Sequence, residues 1–495
     1  MPIAMSVFTR KQLEERETRL TKAVGQRRAL ELQETGPLVA KRQRRKLLYG
    51  LSLLLVVLGL LGAMLELGIT NHWFSPGSAN NQAVQRALHP DVSLSYSSEV
   101  TNTANLFMGE MLRKNWPGLW GMLAPDAQRL WQSEQAFTHF EQTKFGALNL
   151  QSYTLGQASI SHPWLDPDTT QIYDSATTLQ IALRASAPSG LLTAPSNQEL
   201  NRGLFQHTLF ALIQDKSASN AWKVLIAGPA DPEAPVLVPA KPPVTRLILP
   251  IFMYHHVSSL PTHNLLDFNL TVTTADFEAQ LTWLQQQGYH SITMTDLFDL
   301  FYYGKALPSK PMMLTFDDGY EDVYTYALPV LLAHHYRGVF YIITGMIGGR
   351  YVTWDQVRTM ARSGMQIASH TVHHINIGEP PAGTTTQKEL LDSKAKLEAE
   401  LHEPIQFFCY PTGEPFHHDT VYEQQLVLKD LFEDGYLSAT LDPSVFDSAL
   451  QNSQTPYQLP RIRVSGGESL TAFEGILAAT LQADRQRLAQ LPKTP

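Results

Sequence analysis

Pro311-Met312-Met313-Leu314-Thr315-Phe316-Asp317-Asp318-Gly319 is the stretch on which the reading of this chain turns. The apolar run predicts a buried strand, and the two aspartates fall where it gives way to a loop. Strand ends of this kind are where α/β folds carry their chemistry. Neighbouring side chains on an extended backbone point to opposite sides, so one carboxylate can ligate a metal while the other stays free beside it. Further along comes Ser369-His370-Thr371-Val372-His373-His374. His370 and His374, four apart, share one face if a helical turn or a tight loop carries them. A carboxylate oxygen and two neutral imidazoles leave open positions on a divalent ion such as zinc, as a hydrolytic site requires. Asp317 is then the free base that takes a proton from the attacking water. His373 reads as a loop residue, because three ligands already fill such a site.

Around this pair, strand-like runs at 249–254, 290–294, 312–316, 339–343, 366–369, 406–410, 437–441 and 461–464 are separated mostly by helical patterns. Phe277, Leu281 and Leu284 keep helical spacing between a Thr274 cap and Gly288; 354–362 follows Thr353 and stops at Gly364. Repeated strand-helix units predict an α/β fold with parallel strands, and the number of strands favours a barrel over an open sheet.

The 495 residues leave room for more than one domain, and 43% hydrophobic content suits a chain that buries a core. Residues 47–69 are almost wholly apolar, with Glu66 near the far end and Lys41, Arg42, Arg44, Arg45 and Lys46 just before them. Such a run is long enough to cross hydrocarbon, and it is expected to be a transmembrane signal anchor rather than a cleaved signal peptide. The first 46 residues carry twelve Lys or Arg against five Glu, so that end is expected in the cytoplasm and the acidic remainder outside. An acidic exterior with no basic stripe argues against nucleic acid as a partner. The single cysteine, Cys409, excludes intrachain disulfides; on an apolar strand without a partner it reads as a small buried residue.

The expected organisation is a basic cytoplasmic segment (1–46), the anchor (47–69), a polar spacer (70–90), a small α+β domain (91–228), a proline-dense linker (229–245) and the domain carrying the motifs (246–491). The α+β assignment rests on helical spacing at Ala104, Phe107, Met108, Met111 and Leu112, followed by strand-like runs at 151–161, 177–185, 204–214 and 222–227. Its element order resembles nuclear-transport-factor-two-like or cystatin-like accessory domains, and no chemistry is legible in it.

Three motifs, Thr315-Phe316-Asp317-Asp318-Gly319, His370-Thr371-Val372-His373-His374 and Phe408-Cys409-Tyr410-Pro411-Thr412-Gly413, together resemble those of the polysaccharide deacetylases, also called carbohydrate esterase family four. The resemblance covers roughly half the chain. It implies a distorted (β/α) barrel that removes acetyl groups from N-acetylated sugars with one divalent metal ion, zinc being the expected one. It assigns Asp317 as catalytic base, Asp318, His370 and His374 as metal ligands, and the backbone amide of Thr412 as an oxyanion donor. Many members carry arginine where Cys409 stands and supply a late histidine as acid, which Leu459-Pro460-Arg461-Ile462-Arg463-Val464 lacks. A subgroup acting on extracellular poly-N-acetylglucosamine opens with a Tyr-His pair like Tyr254-His255, so by resemblance His255 is the proton donor, with His256 the alternative. Asp434 and Asp442 are the carboxylates considered for orienting it. Arg461 is expected either on Asp317 or on a backbone carbonyl, Tyr410 and Trp354 in supporting positions, and packing is the expected role for Trp354. The expected partner is an acetylated polysaccharide, peptidoglycan or poly-N-acetylglucosamine, at the outer face of a membrane. A catalytically weak glycan-binding protein and an O-acetyl esterase of the xylan type are the alternatives.

Overall fold

Leu179, Ile181, Leu183 and Ala185 are buried while Gln180 and Arg184 between them are exposed, an alternation that predicts a sheet with one wet face. The computed structural model describes residues 83–491 except residue 85 and the stretches 189–205, 216–220, 230–244, 260–263 and 444–446. The anchor at 47–69 and most of the 229–245 linker lie outside the described residues. No helix among the described residues is long and apolar enough to cross a membrane. Strands β1 (Asp91–Leu94), β2 (Asn149–Leu155), β3 (Ser159–His162), β4 (Ala176–Ser186), β5 (Gln206–Asp215) and β6 (Ala221–Pro229) pair antiparallel in the order β1-β3-β4-β5-β6, with β2 also on β4. Helices α1 (Ser98–Leu112), α2 (Trp116–Met122), α3 (Pro125–Arg129) and α4 (Glu134–Phe145) bury Phe107, Met111, Phe137 and Phe140 against Ile181, Leu183 and Leu225. Ser97 and Ser133 start α1 and α4 by accepting from the Val100 and Ala136 amides. Helix α4 was not among the sequence expectations.

The second sheet is parallel throughout. Its strands are β7 (Ile251–Tyr254), β8 (His290–Ser291), β9 (Pro311–Phe316), β10 (Val339–Ile342), β11 (Gln366–Ser369), β12 (Phe407–Cys409), β13 (Ser438–Thr440) and β14 (Ile462–Arg463), each within or overlapping one of the eight predicted runs. Pairing follows β13-β12-β11-β10-β9-β7-β14. Met312 to Phe316 are all buried, since helices such as α5 (Thr274–Gln286), α6 (Met294–Tyr303), α7 (Trp354–Arg362) and α8 (Thr386–Leu401) cover the outer face and side chains fill the inner one. A closed barrel, favoured by the strand count, is corrected to a curled half-barrel. Short β8 pairs only with Pro311 and Met312, leaving Met313 to Phe316 for β7. The seam between β13 and β14 is spanned by the approach to β14, where Leu459 bridges Thr440.

An ionic seam joins the two sheets' layers beneath the N-terminal strand ends, beside a cavity of about 630 Å³. Arg337 donates to Asp168 of the antiparallel layer at 3.2 Å and to Asp296 of α6 at 2.7 Å, and Lys305 reaches Asp296 at 2.7 Å. Backbones also meet: a Cβ on Gly364, at φ +84, would lie 1.9 Å from the Pro167 carbonyl oxygen, so only glycine fits. Burial pushes the Glu141 carboxyl on α4 up to about 7, with Lys144 and Lys305 opposing and Asp299 adding to the rise. A carboxyl whose pKa rises on folding binds its proton more tightly when folded, so stability falls as pH climbs from its ordinary 4.5 through about 7. Glu141→Gln is expected to leave the melting temperature nearly unchanged at pH 4.5 and to raise it at pH 8, by up to ~3 kcal/mol of unfolding free energy. Equal shifts at both pH values in thermal unfolding would assign the effect to packing.

Candidate active site

Parallel strands ending side by side bring the two motifs together. Strand β9 delivers Asp317 and Asp318 at its C-terminal end, and β11, one strand away across β10, delivers His370. Asp318 Oδ1 lies 3.3 Å from His370 Nε2 and 3.2 Å from His374 Nε2. His370 donates its Nδ1–H to the Cys409 carbonyl at 2.8 Å, which fixes the tautomer and turns the Nε2 lone pair toward Asp318. Asp318 Oδ1 is buried and takes no hydrogen-bond donor among the described residues. An orphaned carboxylate oxygen facing two imidazole acceptor positions costs free energy unless a cation sits among them, so the donor set fits a divalent ion. His370 and His374 are joined by a tight loop, not a helical turn.

Asp317 stands beside this triad and is held differently. Arg461, fully buried on the approach to β14, donates Nη1–H to Oδ1 at 2.7 Å and Nη2–H to Oδ2 at 2.8 Å. The same guanidinium gives its Nε–H to the Leu441 carbonyl at 2.6 Å, so both expected uses of Arg461 are met at once. Burial works against ionisation of Asp317, but Arg461 outweighs it and holds the carboxyl below the usual range. His255 Nε2 is 4.0 Å from Asp317 Oδ2, on the same side as the Cys409 thiol at 3.6 Å. Burial lowers the His255 pKa, with Asp317 and Asp318 pulling the other way. Cys409 is fully buried, and burial keeps its thiol well above its ordinary pKa, in keeping with a packing role.

The loops around these groups are strained. Asp318 (φ 71), His374 (φ 55) and Thr412 (φ 53) all adopt left-handed backbone without being glycine. Strain of about 1–3 kcal/mol per such residue persists where surrounding contacts over-determine it. For the histidine loop the clamp is Glu389 on α8, 1% exposed, which accepts from the Val372 amide at 3.0 Å, the His373 amide at 2.9 Å and His373 Nδ1–H at 2.8 Å. Glu389→Gln is expected to weaken divalent-metal binding on the order of 10- to 100-fold while retaining the fold, read by metal titration calorimetry. Unchanged affinity would mean that the loop holds its shape without the clamp. Thr412 is exposed beyond β12, and its N–H takes no acceptor among the described residues, as an oxyanion donor requires.

Other expected residues lie elsewhere. Asp434 caps the helix Val421–Glu433 and Asp442 takes Arg463, so neither orients His255; among the described residues the carboxylate beside that imidazole is Asp317. His256 is committed to Asp322, Nδ1 to Oδ2 at 2.6 Å, and its ring stacks on Tyr320 at 3.6 Å. Tyr410 is core, with its hydroxyl on the Tyr457 carbonyl, and Trp354 on α7 lies under the Lys396 ammonium of α8. Sequence reasoning missed Glu389 and the Tyr320-Tyr351-Arg350 cluster; no local pattern marks Glu389, which shares the buried side of α8 with Leu390, Ser393 and Leu397.

Three convergent potential ligand atoms beside a second carboxylate, at the C-terminal ends of parallel strands, form the kind of donor set that a metal-assisted hydrolase uses. Residues 304–428 match the family model of the polysaccharide deacetylases. A Bacillus subtilis protein named as a polysaccharide deacetylase is 33% identical over 230 residues, 46% of this chain and 74% of that one. A poly-beta-1,6-N-acetyl-D-glucosamine N-deacetylase of Escherichia coli is 24% identical over 45% of this chain but only 38% of its own length. Among solved structures, a Streptococcus pyogenes deacetylase in complex with acetate aligns at 23% identity with a TM-score of 0.41, covering 48% of this chain and 99% of that one. The chain belongs to the polysaccharide deacetylase family.

Proposed function

We propose that this protein removes N-acetyl groups from an N-acetylglucosamine-containing polysaccharide, with zinc at Asp318, His370 and His374, outside a membrane to which residues 47–69 tether it. The observation that carries the reading is the orphaned Asp318 Oδ1 between two imidazole Nε2 atoms, with Asp317 unligated beside them. A bound divalent ion would polarise the acetyl carbonyl and ease ionisation of water. Asp317 takes the proton as water attacks, its carboxylate kept ionised and oriented by the Arg461 fork. The Thr412 amide donates to the oxyanion as it develops. An amine leaves poorly unless protonated, and His255, 4.0 Å from Asp317, supplies that proton in this reading.

Acetate release from N-acetylglucosamine oligomers by the purified full-length chain in detergent tests the reading. Activity should vanish on chelation and return with zinc. A chain that binds zinc yet releases acetate from neither oligomers nor peptidoglycan would refute it.

A further inference from the structure

One arginine at the mouth of the site is fixed in place without a counter-charge. The loop after β10 returns beside the aspartate loop, with the Val352 amide on the Gly319 carbonyl and the Glu321 amide on the Arg350 carbonyl, both at 2.9 Å. An isolated antiparallel bridge pairs Tyr320 with Tyr351, and their rings stack at 5.2 Å and 18°. Tyr320 stands two residues from Asp318, and its hydroxyl adjoins that carboxylate. Its ring also lies against His256, which Asp322 pins, so the aromatic stack is braced from within. The Arg350 guanidinium lies 5.1 Å from the Tyr320 ring centre and 5.9 Å from that of Tyr351.

Arg350 is exposed, and no carboxylate pairs with it among the described residues. Arg358, Arg461 and Arg463 of the same layer are all paired, with Glu400, Asp317 and Asp442. Stacking on two rings removes much of the rotamer freedom an arginine would lose on binding, while the donor edge of the fork remains open. Gly348 and Gly349 next to it leave open space where a Cβ would stand.

We propose that Arg350 is a subsite cation that binds a carboxylate or phosphate carried by the glycan next to the sugar being deacetylated. The preferred substrate is then an acidic N-acetylated glycan, not a neutral N-acetylglucosamine homopolymer. This rests on the deacetylase reading and narrows its substrate class.

The experiment compares wild type, Arg350→Gln and Arg350→Lys on four oligomers of equal length. One is neutral N-acetylglucosamine, one carries an ether-linked carboxylate on alternate sugars, one carries the methyl ester of that carboxylate, and one carries a phosphate. Wild type should favour the acidic oligomers over the neutral and esterified ones on the order of tenfold in kcat/KM, and the stronger of the two acids names the source. Arg350→Gln should abolish that preference through KM, leaving kcat and the neutral oligomer unaffected, with Arg350→Lys partly restoring it. Molar salt should mimic the glutamine variant. Equal losses on neutral and acidic oligomers, or no preference in wild type, would overturn the proposal. Failure of wild type on all four would instead overturn the deacetylase reading beneath it.

Discussion

Replacing Asp317 with asparagine is expected to reduce acetate release by about 10³-fold while leaving zinc affinity where it was. The expectation separates two carboxylates that are adjacent in sequence. Asp318 supplies the buried oxygen between the imidazoles, whereas Asp317 is held by the Arg461 fork, with the Cys409 thiol and His255 beside it. An amide in place of the carboxylate keeps the shape and one acceptor oxygen but cannot take a proton. It also presents NH₂ to the Arg461 fork where a second acceptor stood, so some loss of melting temperature should accompany the loss of activity. Turnover with saturating zinc and titration of zinc itself are the two measurements. Near-normal turnover in the asparagine variant would remove Asp317 as base, and a collapse of zinc affinity would make it a ligand.

How far the site could be read in advance depended on how local its signals were. Asp317, Asp318, His370 and His374 were legible because parallel strands are short apolar runs whose ends are punctuated by polar residues, and chemistry collects at those ends. The eight strands were legible for the same reason. Barrel closure was not, since it depends on whether the end strands β13 and β14 meet, and among the described residues only the Thr440–Leu459 bridge joins their two sides, a long-range pairing that no local pattern records. Arg461 allowed two readings because an arginine in a buried strand approach must be paired without saying with what; its partners Thr315, Asp317 and Leu441 come from other strands and loops. Glu389 and the Tyr320-Tyr351 stack escaped for a further reason. Glu389 reaches from α8 back to the His373 amide 16 residues earlier, and the Tyr320-Tyr351 stack joins two separate loops, so neither periodicity nor spacing marks them. Helix α4 was missed because its Phe137, Phe140 and Phe145 are spread among polar residues.

Arg461→Met is expected to be the most costly single change in the protein. The guanidinium is fully buried and donates both N–H···O bonds that the Asp317 carboxylate accepts, so its removal strands a buried carboxylate with only the Cys409 thiol beside it, a loss of about 3–5 kcal/mol. The pH dependence follows from the sign of the shift. Burial alone would raise the Asp317 pKa, and Arg461 is the principal opposing cause that holds it below 3.8. A depressed carboxyl contributes stability that is present above its unfolded pKa and is lost as pH falls through the folded one. The stability gap between wild type and variant, measured by urea unfolding, should therefore be wide at pH 7 and narrow toward pH 3. In the same variant the acid limb of the pH–rate profile should move to higher pH, because a base without its cation accepts a proton sooner. Arg461→Lys keeps the charge but not the fork, and it should recover most of the acid-limb shift while leaving turnover depressed, since one ammonium cannot hold both oxygens in register. A variant without Arg461 whose acid limb stayed put would show that the base owes its ionisation to the neighbouring imidazoles, and the guanidinium would then be a structural brace alone.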